Sequence, residues 1–275
     1  MSPIQTFKVA TWNINSVRLR IDQVRRFLKD HQPDLLCLQE TKCPDDKFPT
    51  KAFKEIGYGN IALHGQRGYH GVATVSRVPF LDTQKYDFCK KGDARHVAVT
   101  LCPSGRQDIT IHNFYVPAGG DEPNPNINEK FSHKIEFLEE LAGWFACGPA
   151  ANGERQILVG DLNVAPLEND VWSHRQLLKV VSHTPLEVEK LQAALDAGNW
   201  TDVVRAHVPP EEKLFTWWSY RSRDWRQSNR GRRLDHIWAT QPLAQNSVGI
   251  DVIFDARDWI KPSDHVPVLA EFEIN

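Results

Sequence analysis

Short stretches of apolar residues, many of them β-branched, recur along the chain and are separated by polar, turn-forming segments. Stretches of this length and composition predict buried β-strands. The predicted strands are Phe7 to Thr11, Asp34 to Leu38, Val72 to Ser76, His96 to Leu101, Ile109 to Val116, Gln156 to Val159, Asp235 to Ala239, Val248 to Phe254 and Val266 to Ile274. The chain is therefore expected to be built around buried strands.

Between several of these strands, apolar residues recur with the spacing of a helix face, which predicts amphipathic helices. The two clearest stripes are Ile21, Val24, Phe27 and Leu28, and Phe131, Ile135, Leu138, Leu141 and Phe145. The first stripe must end before Pro33, because proline disfavours helix in the residue before it. A third helix is predicted by its capping residues, which are Thr184 as N-cap, Pro185 at the first helical position, Glu187 in a capping box and Gly198 at the end.

The order of these elements predicts the fold class. Hairpin-like pairs of strands from Asn60 to Val116 have no helix between them, which disfavours a simple parallel β-α-β fold. A layered α/β protein with mixed sheets fits the pattern better. There is no internal repeat, low-complexity linker or break in composition, so one folded domain over residues 1–275 is expected.

Composition narrows the class of protein. With 41% hydrophobic and 25% charged residues the chain is globular, and no segment has the roughly 20 apolar residues of a membrane helix. The first residues lack a basic region followed by an apolar stretch, so a cytoplasmic location is expected. Five scattered cysteines without a CxxC pair predict reduced thiols rather than a disulfide framework or a zinc site.

The charge distribution predicts a local rather than a general affinity for polyanions. The formal net charge is −2 and the isoelectric point is about 6.6, which excludes a protein that coats nucleic acid through bulk positive charge. One stretch, from Arg221 to Arg233, departs from this balance because Asp224 is its single acidic residue. The arginines of this run are Arg221, Arg223, Arg226, Arg230, Arg232 and Arg233.

Polar residues that could act in catalysis or bind a metal lie at the ends of the predicted strands. These residues are Asn13, Glu40, Tyr115, Asp161 and Asn163, together with Asp264 and His265 just before the last strand. Any one of them could stabilise a turn or cap a helix, but layered α/β proteins gather active-site residues at strand ends. The repetition at several strand ends therefore predicts one shared cleft.

The residue types point to metal-assisted phosphate chemistry. Oxygen donors without cysteine or a histidine pair suit a hard cation, and Mg²⁺ typically takes one or two carboxylates. Glu40 and Asp264 are the candidate ligands, and Asp161 is the candidate base. A cation accompanied by amide, phenol and imidazole groups suits a phosphate group that gains negative charge during attack.

Several motifs carry a resemblance to a known family. They are Thr11-Trp12-Asn13-Ile14-Asn15, Leu38-Gln39-Glu40-Thr41-Lys42, Gly160-Asp161-Leu162-Asn163, Arg233-Leu234-Asp235 and Ser263-Asp264-His265. In this order they resemble the exonuclease III family of abasic-site DNA repair nucleases, within the endonuclease/exonuclease/phosphatase superfamily. The similarity spans Phe7 to Glu273 and includes Gly68-Tyr69-His70-Gly71-Val72, Asn113-Phe114-Tyr115-Val116-Pro117 and Phe215-Thr216-Trp217-Trp218-Ser219.

The resemblance implies a four-layer α/β sandwich, with two packed mixed sheets flanked by helices and the site at one edge. It also implies a Mg²⁺ site, which Mn²⁺ could occupy instead. Glu40 would be the main ligand, with Asn13 and Asp264 nearby. Asp161, Asn163 and His265 would also belong to the metal site. Asn15 stands where some relatives carry an acid, so the number of metal ions, one or two, stays open.

Catalytic roles also follow from the resemblance. Asp161 would orient and deprotonate the attacking water, and Asn163 would hold that water. His265 would bind a non-bridging phosphate oxygen while Asp235 fixes its tautomer, as in the orienting half of a triad. Tyr115 would contact the phosphate or protonate the leaving 3′ oxygen, and the general acid stays open among Tyr115, Asp161 and metal-bound water.

Substrate recognition is implied for a further set of residues. Trp217 and Leu234 would line a small apolar pocket for a flipped abasic sugar, with Arg232 at its border, whereas Trp218 is expected in the core. Tyr69, His70 and Arg95 would contact the DNA from the opposite side. The arginine run would contact phosphates, which makes binding sensitive to salt and independent of sequence.

The implied function is a hydrolase that incises duplex DNA 5′ to abasic sites and also trims normal or blocked 3′ ends. Its partner would be double-stranded DNA, and it would act as a monomer in the bacterial cytoplasm at the nucleoid. Ala118, where animal-type enzymes carry Asn, favours the bacterial branch. Two alternatives stay open: a phosphatase or phosphodiesterase for a lipid or inositol phosphate, and a DNA-binding module without catalysis.

Overall fold

The computed structural model describes residues 5–103, 105, 107–148 and 154–274 of the chain. Strands form two six-stranded sheets and one short two-stranded ribbon. The strands are β1 (Thr6–Asn13), β2 (Leu35–Gln39), β3 (Asn60–His64), β4 (Val72–Ser76), β5 (Phe80–Gln84), β6 (His96–Leu101), β7 (Ile109–Tyr115), β8 (Gln156–Asp161), β9 (Trp200–Asp202), β10 (Trp217–Trp218), β11 (Gly231–Arg232), β12 (Asp235–Thr240), β13 (Ser247–Val252) and β14 (Val268–Glu273).

The helices lie between the strands in the chain. They are α1 (Ile21–His31), α2 (Thr50–Lys54), α3 (Glu129–Cys147), α4 (His174–Leu177), α5 (Pro185–Ala197), α6 (Val203–His207), α7 (Trp225–Ser228) and α8 (Gln241–Ala244). The capping box predicted for α5 is present: Thr184 Oγ1 accepts from Glu187 N, and Gly198 caps the other end.

Both large sheets are mixed. In the first, the order is β13-β14-β1-β2-β4-β3, and in the second it is β5-β6-β7-β8-β12-β9. The pairs β1–β2 and β7–β8 are parallel, whereas the other neighbours are antiparallel. The antiparallel pairing of β3 with β4 and of β6 with β7 confirms the helix-free hairpins that the sequence predicts.

Alternation of side chains along each strand produces four layers. In β1, the Trp12 ring contacts Phe27 of α1 on the outer side, so the neighbouring Thr11 and Asn13 face the second sheet. In the second sheet, Phe114 packs outward in a cluster with α3 and α5, while its neighbour Tyr115 belongs to the core between the sheets. The predicted four-layer α/β sandwich is confirmed.

All nine predicted strands are present, with ends that differ by one or two residues for most of them. The unpredicted strands are short or lie at the edge of a sheet. In β5, four of the five residues are exposed, so this edge strand carries no apolar stretch that could mark it.

Two compositional predictions can be compared with the structure. The five cysteines are free, in agreement with reduced thiols. Among the described residues, no helix combines the length and the apolar character needed to span a bilayer.

Candidate active site

Three polar residues form a row across the second sheet, at the edge where β7 and β8 end and β12 begins. Tyr115 and Asp161 are register partners in the parallel pair, and Asp161 and Asp235 are register partners in the antiparallel pair. Each side chain takes the position on its strand that faces the first sheet. The sheet therefore fixes a phenol and two carboxylates side by side, with Asp161 in the centre.

His265 joins this row from the loop before β14. Its Nδ1 lies 2.8 Å from Asp235 Oδ2, and its Nε2 lies 3.7 Å from Asp161 Oδ2. Thr216 Oγ1 donates to the same Asp235 oxygen at 2.6 Å. With the carboxylate acceptor on Nδ1, the proton is held there and Nε2 is directed toward Asp161. This is the orientation that the resemblance implied for His265 and Asp235.

Asp161 and His265 have shifted pKa values because they are buried close to each other. Burial would lower the pKa of His265, but the carboxylates of Asp235 and Asp161 outweigh it and raise the pKa to about 10. Burial, opposed by His265 and assisted by Asp235, raises the pKa of Asp161 to about 7. His265 is thus a cation at neutral pH, and Asp161 can exchange a proton near neutrality.

Glu40 approaches Asp161 from the first sheet, at the end of β2. Its Oε1 accepts from Asn13 Nδ2 at 3.0 Å and from Tyr115 Oη at 2.8 Å. Its Oε2 lies 2.8 Å from Lys42 Nζ. Burial opposes ionisation of Glu40, but Lys42 and these hydrogen bonds hold its pKa below the ordinary value. Asn13 Nδ2 also donates to Asp161 Oδ2 at 2.8 Å, so one amide joins the two carboxylates.

Tyr115 keeps its proton in this environment. Burial and the neighbouring Glu40 and Asp161 raise its pKa well above the usual value for a phenol. The Arg95 guanidinium lies 5.0 Å from the Tyr115 ring centroid, and Arg95 Nη1 donates to the Tyr115 carbonyl at 3.2 Å. Arg95 is only 5% exposed and pairs with Asp93, so it packs behind Tyr115.

The segment Ser263-Asp264-His265 is anchored to β1. Ser263 Oγ donates to the Asn13 carbonyl at 2.7 Å, and Trp12 Nε1 donates to the His265 carbonyl at 3.0 Å. Asp264 accepts from Asn15 Nδ2 at 3.1 Å and from Trp217 Nε1 at 3.0 Å. Asp264 is therefore fixed between the first sheet and the wall that carries Trp217.

Asn163 follows Asp161 by two positions, just after the end of β8. Its backbone N–H donates to Asp161 Oδ1 at 3.0 Å, and its side-chain Nδ2 donates to the Val116 carbonyl at 2.9 Å. The residue adopts a left-handed backbone conformation with φ of 55°, which is uncommon outside glycine. These bonds place the Asn163 side chain in the same cleft as Glu40 and His265.

Two groups of side chains could hold a metal ion. Asp161, Asp235 and His265 each place one ligand atom within 4.8 Å of the others. In this group His265 Nδ1 is already bonded to Asp235, so we assign Asp235 to the orientation of His265. Glu40 and Asp264 line the same cleft, with the Asn13 amide bonded to Glu40. Their carboxylate oxygens, with no thiolate among them, fit a hard cation.

The cleft has a volume of about 560 Å³ and is open at the surface. Trp217 and Leu234 line it and belong to one apolar cluster with Val171. The guanidinium of Arg232 lies 5.2 Å from the Trp217 ring, and its Nη1 donates to Val181 O and Ser182 Oγ. The predicted pocket residues are thus together beside His265, whereas Trp218 is buried in the core, as predicted.

Tyr69 and His70 lie on the other side of Tyr115. Tyr69 is 74% exposed, and the ring centroids of His70 and Tyr115 are 6.1 Å apart. His70 has a left-handed backbone conformation, with φ of 62°. The exposed ring of Tyr69 is available to a large ligand that also reaches Tyr115.

The prediction for the arginine run is wrong for Arg233, which is fully buried and pairs with Asp170 and Asp202. Arg226 is exposed and pairs with Asp255. The sequence contains few acids within the run, but the fold brings acids from distant segments. The run members that line the cleft are Arg221, Arg230 and Arg232.

Two residues that touch this site were not singled out from the sequence. Thr216 bonds Asp235 through its hydroxyl and accepts from the N–H groups of Leu234 and Asp235. Lys42 neutralises Glu40 and donates to Asn15 Oδ1 at 2.6 Å. Lys42 follows Glu40 closely in the chain, which is a usable signal, but nothing in the sequence near Thr216 indicates its distant partner.

Comparison with known proteins agrees with this geometry. Residues 10–265 match the model of the Endonuclease/Exonuclease/phosphatase family. The chain is 29% identical over 273 residues to exodeoxyribonuclease III of Haemophilus influenzae, an alignment that covers 97% of this chain and all of the relative.

Solved structures include similar folds at comparable identity. An AP endonuclease from Archaeoglobus fulgidus is 32% identical, with a TM-score of 0.88 over 98% of this chain and 100% of the other. A 3′ phosphatase from Neisseria, bound to product DNA hairpin, is 31% identical with a TM-score of 0.87 and the same coverage.

Proposed function

The chain belongs to the endonuclease/exonuclease/phosphatase family, and from this premise we propose that it is a metal-dependent DNA repair nuclease. It hydrolyses the phosphodiester bond 5′ to abasic sites in duplex DNA. It also removes nucleotides and blocking groups from 3′ ends. Its similarity to an exodeoxyribonuclease III, an AP endonuclease and a 3′ phosphatase supports these three related activities.

One observation carries the proposal. A base and a cation for phosphate, Asp161 and His265, share one cleft with the apolar pair Trp217 and Leu234. Phosphoester hydrolysis needs the first two groups, and recognition of a base-free sugar is favoured by the second two. A lipid or inositol phosphatase would not need an apolar pocket bordered by Arg232 at this position.

The residues divide the hydrolytic step among them. Asp161 accepts a proton from the attacking water, which its pKa of about 7 permits near neutral pH. Asn163 orients that water. The His265 imidazolium binds a non-bridging phosphate oxygen and stabilises the charge that develops there. Asp235 and Thr216 keep the imidazole in the orientation needed for this contact.

Glu40 and Asp264, with Asn13 beside them, would hold Mg²⁺ or Mn²⁺, which when bound supplies positive charge to the phosphate oxygens. The Tyr115 hydroxyl donates a hydrogen bond to Glu40 and keeps that carboxylate oriented. Because the pKa of Tyr115 is raised, its neutral hydroxyl is suited to hydrogen bonding with a phosphate oxygen.

Duplex DNA would lie across the cleft between two sets of side chains. Arg221, Arg230 and Arg232 line one side, and Tyr69 and His70 lie beyond Tyr115 on the other. Contacts of this kind bind the sugar-phosphate backbone and carry no base specificity. The protein would act as a monomer, and a DNA substrate supports action at the bacterial nucleoid.

A gel assay tests the proposal directly. The substrate is a 5′-labelled duplex with a single abasic analogue, and the control is an undamaged duplex with a recessed 3′ end. Each is incubated with Mg²⁺, with Mn²⁺ or with EDTA. We expect a single incision 5′ to the lesion, shortening of the control, and no product in EDTA.

The variant Asp161→Asn tests whether the activity resides in this cleft. We expect it to lower cleavage by at least about 10³-fold, because it removes the base, while duplex binding stays close to that of the parent. If Asp161→Asn turned over at a near-normal rate, the assignment of the base would be wrong. If the parent cleaved neither duplex, the proposed function itself would be rejected.

A further inference from the structure

A fully buried ion pair lies behind the cleft. Lys134 of α3 and Glu187 of α5 are both 0% exposed, and the Lys134 ammonium donates to Glu187 Oε1. Removing two charges from water is costly unless further hydrogen bonds satisfy them. The partners that satisfy this pair lie in the loops that form the walls of the cleft.

Glu187 holds one wall. Its carboxylate accepts from the N–H of Ser182 at 2.9 and 3.0 Å and from the N–H of Thr184 at 3.2 Å. Ser182 lines the cleft and has a left-handed backbone conformation, with φ of 86°. Its hydroxyl also accepts from Arg232 at 2.7 Å. The carboxylate therefore fixes a strained residue to which Arg232 is attached.

Lys134 holds a second segment of the cleft lining. Its Nζ donates to the carbonyl of Asn163 at 2.7 Å and to that of Ala118 at 3.4 Å. Asn163 and Ala118 both line the cleft, and Asn163 also has a left-handed conformation, with φ of 55°. The ammonium therefore fixes the residue that orients the attacking water.

Each member of the pair thus stabilises one non-glycine residue in a conformation that the chain rarely adopts. Such conformations persist only where surrounding contacts fix them, and they gather at functional sites. We propose that the Lys134–Glu187 pair is a positioning device that holds Asn163 and Ser182, which both line the cleft, in these conformations. Neither residue of the pair touches the substrate.

This inference rests on the proposed function for its effect on turnover. Loss of the Lys134 contact frees the Asn163 peptide while Asp161 and His265 stay in place. Because a displacement of about 1 Å can cost roughly 100-fold in rate, kcat should fall while KM changes little. A pair that only stabilised the packing of α3 against α5 would affect unfolding and leave the kcat of the folded enzyme unchanged.

The test is the double variant Lys134→Met/Glu187→Gln, since either single change would leave a buried charge without a partner. Met fills the volume of Lys but cannot donate to Asn163 O, and Gln keeps an acceptor for Ser182 N. The matched control is Lys190→Met/Glu139→Gln, which removes an ion pair of 2.9 Å between the same two helices in a partly exposed position.

We expect the double variant to have a urea midpoint within about 0.5 M of the parent. Its kcat on the abasic duplex should be about 10- to 100-fold lower, with KM within about threefold. Hydrogen exchange should become faster in peptides covering residues 162–166. The control should match the parent in all three measurements. A double variant with parental kcat and parental exchange would overturn the proposal.

Two further results keep the test decisive. If the double variant does not fold, Lys134→Arg keeps the charge for Glu187, but its planar group cannot place one nitrogen on both carbonyls. We then expect lower kcat at a parental urea midpoint, and parental kcat would reject the proposal. If the parent itself does not cleave the duplex, the proposed function fails, and hydrogen exchange alone decides whether the pair holds residues 162–166.

Discussion

Replacing Asp235 with Asn should change the pH dependence of the enzyme as well as its rate. Asp235 is the first of the groups that raise the pKa of His265 from 6.5 to about 10. This rise corresponds to about 5 kcal/mol in favour of the imidazolium, since one pKa unit equals about 1.4 kcal/mol. In Asp235→Asn the remaining carboxylates are Asp161, whose own pKa of about 7 makes it a weaker partner, and Asp264, which contributes less.

The expected size of the effect follows from the fraction of cationic His265. Burial lowers the pKa of the imidazole, so without Asp235 we expect a value at or below roughly 6.5. At pH 8 about 3% of His265 would then be protonated, compared with nearly all of it in the parent. This difference alone lowers kcat about 30-fold. The Asn amide would also disturb the tautomer of His265, and the combined loss should reach about 10² to 10⁴-fold.

The assay is kcat for abasic incision at saturating duplex, measured from pH 6 to 9. Activity requires cationic His265, so the parent should stay active through the alkaline range. Asp235→Asn should lose activity as the pH rises through about 6.5, because His265 then loses its proton. Thr216→Ser keeps the hydroxyl that bonds Asp235 and should match the parent, whereas Thr216→Val should lose about tenfold. An Asp235→Asn profile parallel to the parent, with less than threefold loss, would refute the role assigned to Asp235.

Two other predictions concern the pocket and acid stability. Trp217→Ala should lower abasic incision about 100-fold. Trp217→Phe keeps an aromatic ring but not the hydrogen bond to Asp264, and it should lose less activity. Equal activity in the parent and both variants would show that the pocket does not recognise the abasic sugar. Burial lowers the pKa of His112 to about 4, so the unfolded chain alone takes up this proton as the pH falls below about 6.5. This histidine should therefore cost about 2 kcal/mol of stability between pH 7.5 and 5, measured by urea unfolding, and His112→Gln should reduce that loss.

The sheets are predictable because burial on both faces marks their strands in the sequence. In β8, all six residues are buried, and the apolar stretch ends in Asp161 at the edge of the sheet. Tyr115 and Asp161 can be recognised in the sequence for the same reason, because they are polar residues that end apolar stretches. Strand β5 has no such mark because its side chains are mostly exposed.

Pairing between distant side chains is what the sequence does not reveal. Lys134 and Glu187 are 53 positions apart; the sequence marks Glu187 as a capping residue and Lys134 as an ordinary helix charge, and neither points to the other. A similarly long separation in sequence explains the error for Arg233, whose partner Asp170 is 63 positions away. Local counting of charges cannot detect these pairs, because the contacts depend on how α3 packs on α5 and on how the segment between β11 and β12 packs on Asp170.

The anchoring of the Ser263-Asp264-His265 segment to β1 has a consequence during protein synthesis. Trp12 and His265 are 253 positions apart, so the first and last parts of the site leave the ribosome at widely separated times. A nascent chain that already contains Asn13, Glu40 and Asp161 still lacks the imidazole and the strand that pairs with β1. Such long-range contacts form late in folding. A partly synthesised chain therefore has no complete nuclease site with which to damage DNA near the ribosome.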